Sequence, residues 1–190
     1  EYKKCKKDGV AFNDRYKATY YQWIKNGNFA LIYGATESTA DQTYRVSGAY
    51  KTIRKSLPLI DKFIHNCYRT GKRDGFVTTL GGYRLDVPLN EPHKAANYFV
   101  QGTAGWVIQQ AMVSVHEYLY TLDDYHIIMQ VHDELNYDFP RHPRNKTVMK
   151  KVVKLMEAPG DTIGVPVPVE VDLIRDTWAN GKSINLEKVA

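Results

Sequence analysis

Apolar residues in the first half of the chain recur at helical spacing. Between residues 39 and 68 they stand three or four positions apart, at Tyr50, Ile53, Leu57, Ile60, Ile64 and Tyr68. This is the period of one face of an α-helix. Pro58 lies inside the run and is expected to kink or divide it, because a proline nitrogen has no hydrogen to donate. A second, longer helical run extends from about Pro92 to Leu122.

Two segments predict β-hairpins. In residues 71–89, β-forming residues flank the glycine pair Gly81-Gly82, which is typical of a turn between short strands. In residues 126–139, an apolar stretch and a polar break precede a stretch with alternating apolar residues on one face, namely Leu135, Tyr137 and Phe139.

The last third of the chain predicts one helix and one strand. The amphipathic pattern after Pro143 indicates a helix that ends at Pro159 and Gly160. Residues 165–174 then indicate a terminal strand, whose prolines suit a sheet edge. Helices are concentrated in the first half and strands in the second, which predicts an α+β fold. The composition changes near residue 97.

Composition excludes several classes of protein. Of the 190 residues, 43% are apolar and 25% are charged, which is enough to bury a core and argues against disorder. The chain has no apolar run of membrane-spanning length and its first residues lack a secretory pattern, so we expect an intracellular, cytoplasmic protein with no membrane partner. Cys5 and Cys67 lie far apart, which predicts reduced thiols and neither a zinc site nor a disulfide framework.

The net charge of +5 is modest, but Lys and Arg form clusters beside tyrosines. Such clusters suit a polyanion whose bases offer stacking faces, and they equally suit solvated helix faces. The clustered cations are Lys3, Lys4, Lys6, Lys7, Lys51, Arg54, Lys55, Arg69, Lys72 and Arg73.

The tip of the second predicted hairpin carries two acids and an imidazole, in the run from Gln130 to Glu134. Magnesium prefers hard oxygen ligands and takes one or two protein carboxylates, leaving its other positions to water and phosphates. Asp133 fits that role. Alternatively, Asp133 caps a tight turn and His132 is an incidental neighbour.

A stripe of side chains spaced four residues apart precedes these elements: Tyr21, Lys25, Phe29 and Tyr33. On a helix, Lys25 can meet phosphates while the rings meet a base and a sugar. Two alternatives remain open. An aromatic stripe also suits a core, and Asn26-Gly27 between apolar runs is a hairpin signal.

Asn97 and Gln101 lie one turn apart at the start of the long predicted helix. Their amides can donate to the minor-groove acceptors that every base pair presents, which checks the shape of a pair without reading its sequence. The alternative is that Asn97 caps the helix and Gln101 is merely exposed.

Five segments in this order resemble the family A DNA polymerases. KNGNFALIYG resembles motif B of the fingers, VQGTAG the start of the palm helix, and MQVHDEL motif C. GFVTTLGGYRL and PVPVEVDLIRDTW are similar to two further family segments, so that the resemblance covers about residues 12 to 182. It implies a fingers subdomain over residues 1–97 and part of a palm subdomain over residues 98–190, in which the hairpin and the terminal strand form an antiparallel sheet packed on the long helix.

The resemblance implies roles for the nucleotide-binding residues. Lys25 matches the lysine that neutralises the incoming triphosphate. Phe29 matches the aromatic residue packed on its base and sugar, where phenylalanine is associated with stronger rejection of dideoxynucleotides than tyrosine. Tyr33 matches the tyrosine beside the templating position, and Gly34 lets the helix end. Tyr21 is counted with these nucleotide-binding residues, but it stands where the family usually has an arginine. A second triphosphate contact is therefore either absent or supplied by Arg15 or Lys17.

The resemblance also implies contacts with primer-template DNA and with metal. Asp133 matches a metal-binding aspartate, and Glu134 is an adjacent acid; with Lys25 they make up the implied catalytic set. In the complete enzyme two Mg²⁺ ions are expected, for which this chain supplies one ligand, Asp133. His93 replaces a family arginine beside Lys94. The implied DNA-binding residues are Tyr33, Gly34, Arg84, Lys94, Asn97, Gln101 and His132.

One family segment has no counterpart in the chain. The aspartate-tyrosine-serine run of motif A, with the second catalytic aspartate, is missing; Asp124-Tyr125 imitates it but lacks the serine and follows motif B. We therefore expect motif A upstream of Glu1, on a missing N-terminal portion with the thumb and any exonuclease domain.

Template-directed transfer of nucleotides from dNTPs to a primer 3′-hydroxyl is then the expected function, with the chain inactive alone, either as a fragment of a longer enzyme or as half of a split one. A nucleoid-associated location follows. The alternatives are a non-catalytic nucleic-acid-binding module and a single-subunit RNA polymerase fragment.

Overall fold

The structure is a computed structural model that describes residues 20–175 and 177–186. The predictions for Cys5, Arg15, Lys17 and the lysines near the N-terminus fall outside these residues. Helices and small antiparallel sheets make up the described chain, which confirms the α+β prediction. The chain divides into two compact units between Gly102 and Thr103.

Four helices open the described part of the first unit: α1 (Gln22–Ile32), α2 (Glu37–Tyr44), α3 (Ala49–Ser56) and α4 (Pro58–Asp74). Pro58 divides the long apolar run as predicted. It stands in the first turn of α4, where the missing N–H has no partner to lose. Gly75 ends α4 with a φ of 75°, a left-handed conformation that suits glycine.

A short hairpin follows, made of β1 (Phe76–Thr78) and β2 (Arg84–Asp86), and confirms the predicted glycine-rich turn. The helix before it is longer than predicted, because Gly71 belongs to α4 rather than to the hairpin. A 3₁₀ turn at Pro92–Lys94 then leads into the long helix α5 (Ala95–Leu119), which is three residues shorter than predicted at each end.

The core of the first unit lies between α4, the β1–β2 hairpin and the start of α5. Its buried members are Cys67, Val77, Val87, Ala95 and Ala96. The rings of Phe63 and Phe99 meet edge to face at its border, with centroids 5.3 Å apart. Burial raises the pKa of the Cys67 thiol, which keeps it protonated. This core fixes the start of α5 to the end of α4.

The second unit contains the predicted hairpin, with β3 (His126–Val131) paired to β4 (Glu134–Asp138). The alternation of its faces is not strict, because the register shifts between Ile127 and Met129 and Asn136 is buried beside Leu135. The helix α6 (Asn145–Ile163) follows. A last pair, β5 (Asp172–Leu173) and β6 (Lys182–Ser183), encloses a 3₁₀ turn at Trp178–Asn180.

Two predictions about this unit were wrong. Helix α6 does not end at Pro159 and Gly160 but continues to Ile163, and Gly164 ends it with a φ of 67°. Pro159 removes only the one hydrogen bond that its own nitrogen would donate, so the turn after it still forms.

The predicted strand over residues 165–174 is confined to Asp172–Leu173, which pairs with β6 and not with the β3–β4 hairpin. Pro166 and Pro168 have no N–H for a strand ladder, which explains why the earlier residues stay outside.

The hairpin packs on the long helix, as predicted. A buried cluster joins α5 and α6, and side chains from both hairpin strands border it. Its members are Val115, Leu119, Tyr125, Val148 and Val152. None of the described helices is both long enough and apolar enough to span a bilayer.

Candidate active site

Helix α1 carries Lys25 and Phe29 and is followed directly by Tyr33, its C-terminal cap. The helix runs through Asn26-Gly27, so this dipeptide does not form a hairpin turn. Gly27 is buried, and a Cβ there would overlap the ring of Tyr44 in α2. The Tyr44 hydroxyl also donates to Asn28 Oδ1 at 2.8 Å. A glycine inside this helix is therefore required by close contact with α2.

The stripe is a surface feature and not part of a core. Lys25 Nζ lies 5.8 Å from the centroid of the Phe29 ring, within the range of a cation–π interaction. The Phe29 and Tyr33 rings stack with centroids 5.5 Å apart and planes 24° apart. Phe29 is 42% exposed, and so is Tyr21, which precedes the helix one turn before Lys25. One face of α1 thus presents an ammonium group and the Phe29 ring to solvent, with the half-buried Tyr33 ring stacked against Phe29.

Gly34 ends α1 for a specific reason. Its φ is 79°, and a Cβ would overlap the carbonyl group of His93. Any side chain would therefore be strained twice, by its backbone and by the contact. His93, noted as a replacement for a family arginine, contributes its backbone to this junction.

A hydrogen bond joins the end of α1 to the start of α5. Gln101 Nε2 donates to the Tyr33 hydroxyl at 2.5 Å, so two residues predicted to contact DNA lie together. Asn97 is not a helix cap, since α5 begins at Ala95. Among the residues that the structure describes, its buried Oδ1 has no hydrogen-bond partner.

Lys94 and Arg84 are engaged in ion pairs. Lys94 Nζ lies 2.6 Å from Glu91 Oε1, and the hydrogen bond with Glu91 raises the pKa of Lys94. Arg84 Nε lies 3.2 Å from Asp86 Oδ1, and its guanidinium lies 4.0 Å from the centroid of the Phe76 ring. Each cation is partly neutralised by its neighbour.

The tip of the β3–β4 hairpin presents Asp133. Val131 pairs with Glu134, so His132 and Asp133 form a two-residue turn. His132 has a φ of 54°, a conformation that glycine usually takes at such turns, and Gln130 Nε2 donates to its carbonyl at 2.8 Å. Backbone strain held in place by surrounding contacts is typical of functional sites. Gln130 was not predicted to have this role.

No sequence pattern predicts a role for Trp178. Its Nε1 donates to Glu134 Oε1 at 2.9 Å, across 44 positions of the sequence. The carboxylate beside Asp133 is therefore held by the 3₁₀ turn between β5 and β6. The only sequence signal for this contact was the tryptophan in the last segment of the family resemblance.

The chemistry of the tip suits one ligand of a magnesium ion. Asp133 offers exposed carboxylate oxygens, the hard donors that this ion takes. Among the described residues, no three His, Cys, Asp or Glu side chains cluster as a metal site would require. Asp124-Tyr125 is not a substitute for motif A, because Tyr125 is 2% exposed and its hydroxyl is bonded to Asn145 Oδ1 at 2.6 Å.

Comparisons with known proteins agree with the motifs. The model of the family described as DNA polymerase family A matches residues 6–180. The thermostable DNA polymerase I of Thermus filiformis is 31% identical over an alignment of 173 positions, which covers 83% of this chain and 20% of that protein. A DNA polymerase of Mycobacterium phage D29 is 26% identical over 129 residues, 65% of this chain and 21% of that protein. The chain thus spans about one fifth of the length of these relatives.

A solved structure shares the fold. The polymerase domain of Pol1 from M. smegmatis, in complex with a DNA primer-template and dNTP, superposes with a TM-score of 0.63. It is 20% identical, and the match covers 72% of this chain and 27% of that one. On the family match across residues 6–180, the chain belongs to DNA polymerase family A.

Proposed function

We propose that the chain contributes the nucleotide-binding helix and one metal-binding carboxylate to a DNA-directed DNA polymerase, which transfers nucleotides from dNTPs to a primer 3′-hydroxyl. The observation that supports this most is the exposed face of α1, where a lysine and two stacked rings lie in the helix that resembles motif B.

The chemistry of that face fits a nucleoside triphosphate. The Lys25 ammonium is a compact charge that can meet a phosphate, and no ion pair among the described residues neutralises it. Phe29 offers an exposed ring for the base and the sugar. The hydrogen bond from Gln101 restrains the Tyr33 hydroxyl, so the Tyr33 ring is oriented before a nucleotide binds.

Asp133 is proposed as the metal ligand. Bound divalent ions would stabilise the attacking and leaving oxygens of the in-line displacement. The chain's own part is to hold the Asp133 carboxylate at a strained turn, with Glu134 fixed beside it by Trp178. The 190 residues contain no aspartate-tyrosine-serine segment, so the second carboxylate must come from another polypeptide segment. We call the assembly that includes that segment the complete polymerase.

Proposed DNA contacts differ in the strength of their support. Gln101 donates to the Tyr33 hydroxyl, Gly34 adjoins the carbonyl of His93, and Asn97 lies one turn before Gln101 on α5. His132 is exposed at the hairpin tip. Arg84 and Lys94 are already paired with carboxylates, so we expect their replacement to weaken DNA binding less than removal of an unpaired cation.

Single-nucleotide incorporation by the complete polymerase tests the role of α1. Lys25→Ala removes a charge-assisted contact of about 1.5–3 kcal/mol, which raises the KM for dNTP by roughly 10- to 100-fold. Lys55→Ala, in the exposed last turn of α3, is the matched control and leaves the KM unchanged. Equal KM values for the two variants would contradict the proposal.

The chain alone provides the second test. One carboxylate does not hold two adjacent divalent ions against their mutual repulsion, so we expect no primer extension by the 190 residues in the presence of Mg²⁺. Robust synthesis would overturn the claim that a second carboxylate is needed from elsewhere. Salt-sensitive DNA binding without synthesis is the expected behaviour.

A further inference from the structure

Positive charge is concentrated in the first unit. Residues 1–102 contain 17 Lys and Arg against nine Asp and Glu, whereas residues 103–190 contain nine against 12. The modest net charge of the whole chain is therefore the sum of a strongly basic first unit and a mildly acidic second unit. Such asymmetry is typical of proteins that bind a polyanion on one side.

Every acidic side chain in the described part of the first unit is engaged. Five form ion pairs with Lys or Arg, and Asp41 accepts hydrogen bonds from the backbone N–H groups of Gly48 and Tyr50 at 2.7 and 2.8 Å. The five ion pairs are Glu37–Lys51, Asp61–Arg54, Asp74–Arg73, Asp86–Arg84 and Glu91–Lys94. No carboxylate in this region remains to neutralise the other cations.

Three of those other cations line the outer face of α4. Lys62, Arg69 and Lys72 stand seven and three residues apart and are all exposed, and none forms an ion pair within the described chain. Residues at such spacing share one face of a helix. The opposite face is buried, through Cys67 and Gly71. The surface defined by these three cations is called the α4 basic face below.

An aromatic ring borders the α4 basic face. Tyr68 is 37% exposed, adjoins Arg69 in sequence, and lies one turn before Lys72. Cations interleaved with an exposed ring suit a single strand, whose phosphates meet the charges and whose unpaired bases can stack. From Lys62 to Lys72 the helix rises about 15 Å. At about 3.4 Å per nucleotide of a strand, this length accommodates four or five nucleotides.

We propose that the α4 basic face binds the unpaired part of the template strand. The inference rests on the proposed function, since it takes the DNA substrate of a polymerase as the occupant. It adds a binding surface on a helix that carries none of the motif residues. Charge complementarity selects the phosphodiester backbone, and Tyr68 selects a single strand over a duplex.

Binding of two fluorescent DNA substrates to the full chain tests this inference. One is a primer-template with a 5′ template overhang of about ten nucleotides, and the other is a blunt duplex of equal paired length. Anisotropy titrations between about 50 and 200 mM salt give the Kd and its salt dependence. The test variant is Lys62→Gln/Arg69→Gln/Lys72→Gln. Glutamine keeps the helix propensity of the residues it replaces.

A matched control removes the same charges from the second unit. Arg141→Gln/Lys151→Gln/Lys154→Gln also replaces one Arg and two Lys, all exposed. For the overhang substrate, the test variant is expected to lower the slope of log K against log salt by about 2, since each phosphate contact on a single strand contributes about 0.7. The control keeps the wild-type slope, and the blunt duplex does not distinguish the variants.

Three results would overturn the inference. Equal slopes for test and control variants would assign the α4 basic face to solvent, and equal losses on overhang and duplex would assign it to paired DNA; both results leave the proposed function intact. Failure of the wild-type chain to bind either DNA would remove the proposed function as well. If the triple variant does not fold, as judged by circular dichroism, Arg69→Gln alone must show about one third of the change in slope.

Discussion

Replacement of Gly27 by alanine tests how α1 is held in place. In most exposed helix interiors this change stabilises a protein by roughly 1 kcal/mol, because alanine has the higher helix propensity. At Gly27 the added methyl would overlap three atoms of the Tyr44 ring. Tyr44 is 6% exposed and is tied to Asn28 by its hydroxyl, so the ring has little room to move.

The overlap sets the sign and the size of the effect. Inserting a methylene-sized group into a packed site costs about 1–3 kcal/mol, and the restrained ring places Gly27→Ala towards the upper end. After subtraction of the gain in propensity, we expect the free energy of unfolding to fall by roughly 1–2 kcal/mol. For a unit of this size, each kcal/mol of lost stability lowers Tm by about 4–8 °C.

Thermal unfolding followed by circular dichroism measures the change, with two comparison variants. Gly105→Ala lies inside α5, where nothing stands within 4 Å of the new Cβ, so it is expected to raise the stability. Tyr44→Leu removes the ring, and in its background Gly27→Ala loses most of its cost. If Gly27→Ala and Gly105→Ala stabilise the protein equally, the contact between α1 and α2 is not what the structure shows.

Two further predictions concern the active site of the complete polymerase. Phe29→Tyr is expected to increase incorporation of dideoxynucleotides relative to deoxynucleotides in a competition assay, and an unchanged ratio would contradict the role of that ring. Trp178→Phe removes the N–H that donates to Glu134 at 2.9 Å but keeps an aromatic ring. Loss of this hydrogen bond, worth about 1 kcal/mol, is expected to lower kcat several-fold and to leave the KM for dNTP unchanged. An unchanged kcat would show that the hydrogen bond does not position Glu134.

The sequence predicted those helices and strands whose boundaries depend only on residues within the same segment. Pro58 divides the first helical run because its missing N–H acts on its own turn. The β3–β4 hairpin was predicted from a polar break between two apolar stretches, and the structure confirms it. The stacked face of α1 follows directly from the spacing of Lys25, Phe29 and Tyr33 once that segment is a helix.

Contacts between distant segments decided what the sequence left open. Whether Asn26-Gly27 would form a turn depended on Tyr44, which lies in another helix. The bond from Trp178 to Glu134 spans 44 positions and has no local signal. The end of α6 was placed too early because Pro159 was taken as a terminator, whereas a proline disturbs one hydrogen bond and Gly164 provides the left-handed residue that ends the helix.

The rate of single-nucleotide incorporation by the complete polymerase carrying Asp133→Asn is the sharpest test of the proposed function. Asp138→Asn, exposed at the other end of β4, is the matched control. Loss of a metal ligand removes several kcal/mol of charge stabilisation, so the Asp133 variant is expected to be slower by about 1,000-fold or more. It is expected to retain DNA binding, and the rate of the Asp138 variant is expected to lie within about twofold of the parent rate. Comparable rates for the two variants would contradict the assignment of Asp133 as the catalytic carboxylate.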